Sequence, residues 1–301
     1  SQAGTPHVKA TGTYDAQAAT YTLTLAQSCA PTPGQATKEP FVIPVALGLV
    51  GADGHDVPLQ LVDEPAAVGT SRVFVLTQAT QTLTFTNVTS EPVPSILRGF
   101  SAPVVLEFDY SNAQLLKLLA SDADPFNRWE AGQRLMLRDA IECIAADAGS
   151  IRAKPLNDAC IEAMRGVLRH PALDAAFKEL VLTLPSETYI AEQLAVVDPQ
   201  RVHAVREAMR AQLAQALFAD WEWAYKTHHD NGAYQPDPVS SGRRALAGLA
   251  LSQLCLAART SGDSVWPGKT LQRFKDAGNM TDRFNALNAL VSSGHALAAG
   301  A

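Results

Sequence analysis

The chain has 301 residues, of which 47% are hydrophobic and 18% charged, and its formal net charge at pH 7 is −6. This length supplies material for two hydrophobic cores, so we expect two domains. The negative charge argues against a nucleic-acid-binding protein, because such binding relies on clusters of Lys and Arg. No apolar run approaches the length of a transmembrane helix and no signal peptide opens the chain, so we expect no membrane partner.

The first 110 residues predict a β-rich domain. Alternation of apolar and polar residues with a period of two marks most of its strands, and Asp53-Gly54 is a hairpin signal between two of them. About seven strands within ~100 residues is typical of an immunoglobulin-like β-sandwich. The Cys and Trp pattern of antibody domains is absent, because this region has one Cys and no Trp. The strands that we can place are predicted at 20–26, 41–50, 57–62, 71–77, 81–86 and 104–110.

The pattern changes from strand to helix at Ser111. Ser111 can accept a hydrogen bond from a free backbone N–H at a helix start, and Leu115, Leu118 and Leu119 follow with helical spacing. The sequence therefore predicts a domain boundary between residues 110 and 111, with a helical domain over residues 111–301.

The second domain reads as nine helices joined by short turns that contain Pro or Gly. Its second helix begins at Asp124-Pro125, where Pro suits the first turn. Helices without strands indicate an all-α superhelical solenoid of the armadillo or HEAT kind, although no strict repeat period is visible. The later helices are predicted at 155–169, 172–182, 187–196, 200–229, 240–258, 267–277 and 281–299.

The last predicted helix carries an apolar face without a polar cap. Leu287, Leu290, Val291 and Leu297 stand among alanines there. A solenoid normally ends in a repeat with a polar outer face, because an exposed apolar patch forfeits burial energy. We therefore expect that the array is incomplete at its C-terminal end and that it self-associates through this end.

No complete catalytic or metal site is visible. The His-Glu-x-x-His motif of zinc peptidases is absent, and His228-His229-Asp230 is the only His doublet. Adjacent helical residues point about 100° apart, so a solvated helix end is favoured over a metal site. His7 and His55 are likewise expected to be solvated.

Nucleophilic catalysis is not indicated either. Ser150, Ser186 and Ser240 occur without a Gly-x-Ser-x-Gly motif, and Cys143 and Cys160 look like packed small hydrophobic residues. With Cys29 and Cys255, the four cysteines lack a Cys-x-x-Cys pair, which favours free thiols in a reducing cytoplasm over disulfides. Core packing is favoured over ligand stacking for the aromatic cluster Phe218, Trp221, Trp223 and Tyr225.

Six stretches in order along the chain resemble one enzyme family. They are Gly4-Thr-Pro6; Tyr21-Thr-Leu-Thr-Leu25; Pro92-Val-Pro94 with Phe100-Ser-Ala-Pro-Val104; Asp124-Pro-Phe-Asn-Arg-Trp129; Leu182-Thr-Leu-Pro-Ser186; and Asn279-Met-Thr-Asp282. Together they are similar to the C-terminal part of bacterial aminopeptidase N, the zinc alanyl aminopeptidases of the gluzincin class.

The resemblance implies a non-catalytic fragment of such an enzyme. In that family the sandwich follows the catalytic domain and the helices close over the active site, so the implied partners are the catalytic domain of the same polypeptide and peptide substrates. Zinc belongs to the parent enzyme, and no catalytic or metal residue can be transferred to this chain. The family's Gly-Ala-Met-Glu-Asn motif is also absent, so the isolated chain is expected to be inactive.

Four residues are our candidates for the lining of a peptide channel: Asn279, Thr281, Asp282 and Arg283. A helix start offers free N–H groups and the positive end of the helix dipole. For Thr281 a simple N-cap role is the favoured alternative. A different function also stays open, that of a stand-alone adaptor which binds a protein on the concave face of the helical array.

Overall fold

A computed structural model describes residues 2–146, 154–229 and 232–300. The chain divides into two compact units, residues 1–132 and 133–301. Unit 1 contains all the strands of the described residues, and unit 2 is helical. This order confirms the predicted fold class of a β domain followed by an α domain. In the described ranges, no helix is both long and apolar enough to cross a bilayer.

Unit 1 is built on two facing sheets. One sheet has four strands in the order β5-β2-β1-β7, and the other has three in the order β4-β3-β6. All pairs are antiparallel except β1 with β7. The strands are β1 (His7–Asp15), β2 (Thr20–Ser28), β3 (Ile43–Val50), β4 (Ser71–Leu76), β5 (Thr80–Phe85), β6 (Val93–Ile96) and β7 (Val105–Glu107).

A single apolar core lies between the two sheets. Leu23 of β2 and Leu47 of β3 are fully buried in it. Phe74 of β4 meets Phe85 of β5 edge to face, with ring centroids 5.9 Å apart. This burial on one face of each sheet explains the period of two in the sequence.

Several strand predictions were wrong in detail. Residues 57–62 form no strand; one isolated bridge occurs within them, at Leu61, and another at the preceding residue, Asp56. The strands predicted at 71–77 and 81–86 are present as β4 and β5, but they belong to different sheets although only a short turn separates them. The segment 104–110 contains only the three-residue β7.

Strand β1 was missed because its pattern is weak. Among its nine residues only Val8 and Ala10 are buried, and the others are mostly small or polar. Its conformation comes from pairing with β2 along its whole length. His7 is therefore the first residue of a strand, and its Nδ1 lies 3.0 Å from Glu107 Oε1.

Ten α-helices follow in the described part of the chain. They are α1 (Asn112–Ser121), α2 (Pro125–Ala145), α3 (Asp158–Arg169), α4 (Ala175–Leu182), α5 (Glu187–Glu192), α6 (Pro199–Ala216), α7 (Phe218–His228), α8 (Pro238–Ser261), α9 (Val265–Asp276) and α10 (Met280–Ser293). Within unit 2, α8 is the central helix and contacts α4, α6, α7, α9 and α10.

The start of α1 confirms the predicted cap. Ser111 Oγ accepts a hydrogen bond from Gln114 N at 3.2 Å, and Gln114 Oε1 accepts one from Ser111 N at 2.8 Å. This reciprocal capping box gives hydrogen-bond acceptors to two backbone N–H groups that have no acceptor within the helix. The division into units nevertheless falls later, inside α2, because α1 contacts β6. The domain boundary at 110/111 stays a prediction.

Two predictions of long helices were also wrong, one because the helix is interrupted and the other because it ends earlier. The segment 200–229 is two helices, because Leu217 has φ −109° and ψ 21° and separates α6 from α7. The last helix ends at Ser293 instead of 299, since Gly294 adopts the left-handed conformation (φ 67°) that stops a helix. A short 3₁₀ turn over Ala296–Gly300 follows.

Candidate functional site

The four candidate residues lie at the start of α10. Asn279 is the N-cap, with its Oδ1 accepting from Asp282 N at 2.9 Å. Its Nδ2 donates to Asp282 Oδ2 at 2.8 Å, and Arg273 of α9 donates to the same oxygen at 2.8 Å. The N-cap role expected for Thr281 was therefore wrong, because Asn279 already fills that position two residues earlier and Thr281 is exposed.

A polar cavity of about 390 Å³ opens beside this helix start. Of the four candidates it includes Asn279 and Asp282, whereas Thr281 and Arg283 do not line it. The guanidinium of Arg283 donates instead to the carbonyl oxygen of Ala277 at 3.1 Å. The described residues that line it are Gly232, Ala233, Tyr234, Arg273, Asp276, Gly278, Asn279 and Asp282.

The chemistry of this cavity suits hydrogen bonding rather than bond cleavage. The Asp282 carboxylate is neutralised by Arg273 and is only 15% exposed. Tyr234 and the amide of Asn279 add polar groups to the wall. Among the lining residues that the structure describes there is no Ser, Cys or His, so this part of the wall lacks a Ser–His or Cys–His pair. Sequence reasoning found the position but could not place Arg273 or Tyr234 beside it, because both reach it from other segments.

The sequence predicted that the His doublet is a solvated helix end. The two residues do lie at the end of α7, but both are only partly exposed and pack on aromatic rings. His228 stands edge-on to Trp223 with ring centroids 6.2 Å apart, and His229 stacks on Tyr225 at 4.8 Å. Burial lowers the pKa of His228, and the nearby charges of Lys178 and Arg243 lower it further. His228 is thus held neutral and packed in the helical unit. Asp230 lies outside the described residues.

The zinc site implied by the resemblance does not fit this part of the chain. A catalytic zinc takes three protein ligands from His, Cys, Asp and Glu. Within the described ranges, no three such side chains are grouped to hold a metal ion.

The candidate nucleophiles are engaged or buried. Burial raises the pKa of the Cys160 thiol to about 12 and that of Cys255 to about 11, which disfavours the reactive thiolate. Cys143 is also buried. Ser186 caps α5 by accepting from Tyr189 N at 3.1 Å. Ser150 lies outside the described residues.

The residues of the predicted aromatic cluster differ in their surroundings: Trp221 lies in the core, whereas Trp223 contacts a charged side chain. Trp221 is fully buried and donates from Nε1 to the carbonyl oxygen of Leu213 at 3.2 Å. Trp223 carries the guanidinium of Arg169 over its ring at 4.2 Å. Arg169 also bonds Asp220 at 2.7 Å. These contacts give the aromatic residues packing roles between α3 and α7.

A buried polar cluster in unit 1, which sequence reasoning missed, explains two of the resembling stretches. Arg98 is 7% exposed and binds Asp56 through two hydrogen bonds of 2.7 Å. It also contacts Asp122 Oδ1 at 3.2 Å, and its Nε donates to Ser95 Oγ at 2.8 Å. We call Asp56, Ser95, Arg98, Asp122 and Asn127 the Arg98 cluster.

The Asp-Pro-Phe-Asn-Arg-Trp stretch at the start of α2 closes this cluster. Asn127 Nδ2 donates to Ser95 Oγ at 2.8 Å and to the carbonyl oxygen of Ile96 at 3.0 Å. Asp124 caps α2 by accepting from Asn127 N and also accepts from Gly99 N, both at 2.8 Å. The Phe126 ring packs at a tilt against the rings of Phe100 and Trp129, with ring centroids 5.3 and 5.8 Å away. The two stretches thus join the sandwich to the first helices.

Comparisons with known proteins agree with this architecture. The chain is 34% identical over 294 residues to aminopeptidase N of Escherichia coli K12 and 37% identical over 293 residues to that of Caulobacter vibrioides, in each case over 97% of this chain and 32% of the relative. The predicted resemblance to aminopeptidase N is confirmed. The chain spans about a third of the length of these relatives.

A solved structure supports the fold. The crystal structure of Legionella pneumophila aminopeptidase A in complex with aspartic acid superposes with a TM-score of 0.77 at 22% identity, over 96% of this chain and 32% of that one. Two family models match in order, an Ig-like fold (DUF3458) over residues 4–109 and ARM repeats (DUF3458_C) over residues 112–301, both described as domains of unknown function. The chain therefore belongs to the DUF3458_C family of ARM-repeat domains and carries the DUF3458 Ig-like domain in front of them.

Proposed function

We propose that this chain is a non-catalytic part of a zinc-dependent alanyl aminopeptidase, an enzyme that removes N-terminal residues from peptides. The observation that carries the proposal is the match over 97% of the chain to a third of the length of aminopeptidase N. The lack of a His-Glu-x-x-His motif in the sequence supports a role outside the catalytic centre.

In this proposal the two units have different roles. The sandwich is a spacer with its own closed core, and the helical unit is a wall that restricts which peptides reach the zinc. The partner is the catalytic domain of the same polypeptide. Free cysteines at Cys29, Cys143, Cys160 and Cys255 support a cytoplasmic location, because a reducing compartment preserves thiols.

The polar cavity at the start of α10 is the proposed contact for the peptide. Asn279 and Asp282 present an amide and a neutralised carboxylate, and Arg273 and Tyr234 add donors. Such a wall hydrogen-bonds a peptide backbone without attacking it. We keep Thr281 and Arg283 as candidates for the rim of the channel, since both are exposed at the same helix start.

A peptidase assay on the purified chain tests the proposal. The chain is incubated with added zinc and with alanine p-nitroanilide, and the release of nitroaniline is compared with a blank. We expect no turnover above the blank. Turnover that follows the chain through purification and is abolished by a chelator would overturn the proposal.

The wall is tested in a chimera in which this chain replaces the matching third of E. coli aminopeptidase N. We expect N279A and D282A to raise the KM for peptides of several residues about threefold or more, with an unchanged KM for alanine p-nitroanilide. A chimera that is active but shows equal effects on both substrates would contradict a role in peptide contact.

A further inference from the structure

A surface cavity of about 600 Å³ lies in unit 2 where α4 and α8 meet. Gly242 of α8 lets the two helices approach closely, because a Cβ there would lie 2.8 Å from the backbone N of Ala176. Leu173, Pro238 and Val239 give the cavity an apolar wall. We call it the α4–α8 cavity, and its volume is that of a pocket for a small ligand.

The polar side of the α4–α8 cavity carries hydrogen-bonding groups that are not engaged. His228, at the end of α7, and Arg243 of α8 both line it. His228 Nε2 is enclosed, and none of the described residues forms a hydrogen bond with it. Arg243 donates from Nη2 to the carbonyl oxygen of Thr227 at 3.3 Å. A guanidinium has five N–H donors, so Arg243 keeps donors for a ligand.

Lys178 of α4 adds a buried cation near His228. It is only 4% exposed, and within the described ranges its ammonium group makes no hydrogen bond and no ion pair. Its Nζ lies 5.9 Å from the centroid of the Trp223 ring, and the His228 ring lies 6.2 Å from the same ring. A buried charge without an opposite charge is costly, so a negative group brought to this place is stabilising.

The charges at the cavity favour a ligand with a single negative charge. Asp174 is the acidic side chain among the described residues of the lining, and it already caps α4 by accepting from Phe177 N at 2.8 Å. Lys178 and Arg243 together exceed this carboxylate by one positive charge, while His228 is neutral. A monoanion therefore balances the site, whereas a phosphate dianion would not.

We propose that the α4–α8 cavity binds a small monocarboxylate that has an apolar body. The carboxylate accepts hydrogen bonds from Lys178, His228 and Arg243, which supplies the acceptor that these groups lack. The hydrocarbon part lies against Leu173 and Val239 and removes apolar surface from water. This inference is independent of the proposed aminopeptidase role.

Isothermal titration calorimetry of the purified chain with hexanoate tests the binding. We expect one saturable site with a Kd of about 1 mM or tighter. Acetate lacks the apolar body, 1-hexanol lacks the charge, and inorganic phosphate carries too much charge, so we expect each to bind at least about tenfold more weakly. Hexanol or phosphate binding as tightly as hexanoate would overturn the proposal, and so would the lack of saturable hexanoate binding.

Substitution of the two cations tests which groups hold the carboxylate. K178M removes the ammonium group but keeps an apolar side chain of similar length, and we expect it to raise the Kd for hexanoate at least about fivefold. R243M, at a partly exposed residue, is expected to raise it about threefold and decides the matter if K178M does not fold. K275M is the matched control, because it removes the same charge at an exposed position of α9. Equal effects of the cavity variants and K275M would overturn the proposal.

The titration of His228 shows whether the ligand lies in this cavity. Burial lowers the pKa of His228, and the charges of Lys178 and Arg243 lower it further. A bound carboxylate offsets these two charges, whereas Asp174 is present with and without ligand, so hexanoate should raise the pKa of His228. Proton NMR of the imidazole signals with and without saturating hexanoate measures the change, and H228Q identifies the signal. An unchanged pKa of His228 at saturation would contradict the proposed site.

Discussion

Two clusters of the same residue types show how surroundings decide a role. The Arg98 cluster in unit 1 combines Arg, Asp and Asn at the start of a helix, with the Arg98 and Asp122 side chains 6% and 0% exposed. In unit 2, Arg273, Asp282 and Asn279 form a similar group, but the Arg273 and Asp282 side chains are 17% and 15% exposed and line a cavity. The enclosed group can only support the fold, whereas the open group can also meet a ligand.

The largest effect is expected for R98M. It leaves Asp56 and Asp122 with no guanidinium in a buried setting, and removing one partner of a buried ion pair costs about 3–5 kcal/mol. We expect a loss of that size in the free energy of unfolding, measured by urea denaturation. R273M, at the more open cluster, is the matched variant and should cost much less. Equal losses would break the contrast between the two clusters.

A smaller loss is expected for G48A, which tests how tightly Arg98 is enclosed. A Cβ at Gly48 would lie 2.0 Å from Arg98 Cζ, so the guanidinium has to shift away from Asp56. Overpacking of this kind costs about 1–3 kcal/mol. G166A is the control, because a Cβ there meets no atom within 4 Å. A G48A protein as stable as G166A would show that Arg98 has room to move.

The open cluster is probed by N279A. Loss of an N-cap typically costs about 1 kcal/mol, so N279A should lower the free energy of unfolding by about that amount. T281A should change it by less than about 0.5 kcal/mol, since Thr281 is exposed and makes no cap. The two denaturation curves decide which residue caps α10. A larger loss for T281A than for N279A would contradict the structure.

The smallest effect is a difference in pH dependence. Burial raises the pKa of Asp122 above its ordinary value, although the backbone N–H of Asp124 and the charge of Arg98 oppose the shift. The folded state then binds this proton more readily than the unfolded state, so its contribution to stability is present at low pH and is lost as pH rises through the folded pKa. The free energy of unfolding of the wild type minus that of D122N should therefore increase as pH falls from about 7 to about 4.

Asp237 supplies the opposite sign. Hydrogen bonds from the backbone and side chain of Ser240 lower its pKa, so its contribution is present at neutral pH and fades as pH falls. The difference between the wild type and D237N should therefore stay constant from about pH 7 to about pH 4 and shrink only below about pH 4. If the stability differences for D122N and D237N changed with pH in the same way, burial would not be what sets the titration of Asp122.

The sequence revealed what local patterns encode. The Ser111 cap, the leucine spacing of α1 and the Pro125 start of α2 depend on neighbours within a few residues, and all three were predicted. The placement of β4 and β5 in different sheets depends on partners far along the chain, namely β3 and β2. Local alternation is the same for a hairpin and for two strands in different sheets, so the sequence could not assign β4 and β5 to their sheets.

The two polar clusters could not be predicted from the sequence for the same reason, because their members come from distant segments. Arg98 meets Asp56 across 42 residues of sequence, and no spacing rule connects them. At α10 both Asn279 and Thr281 are good cap residues by type, and only the backbone geometry distinguishes them. Asn279 and Asp282 could be placed by sequence at a helix start, but Arg273 and Tyr234 could not.

Zinc content is the most direct measurement of the central claim, that this chain supplies architecture and not a metal centre. The purified chain is dialysed against zinc and then against metal-free buffer, and the ion is quantified by mass spectrometry. The account predicts far less than one zinc per chain. One tightly held zinc per chain, lost on substitution of His or acidic side chains of this chain, would contradict it.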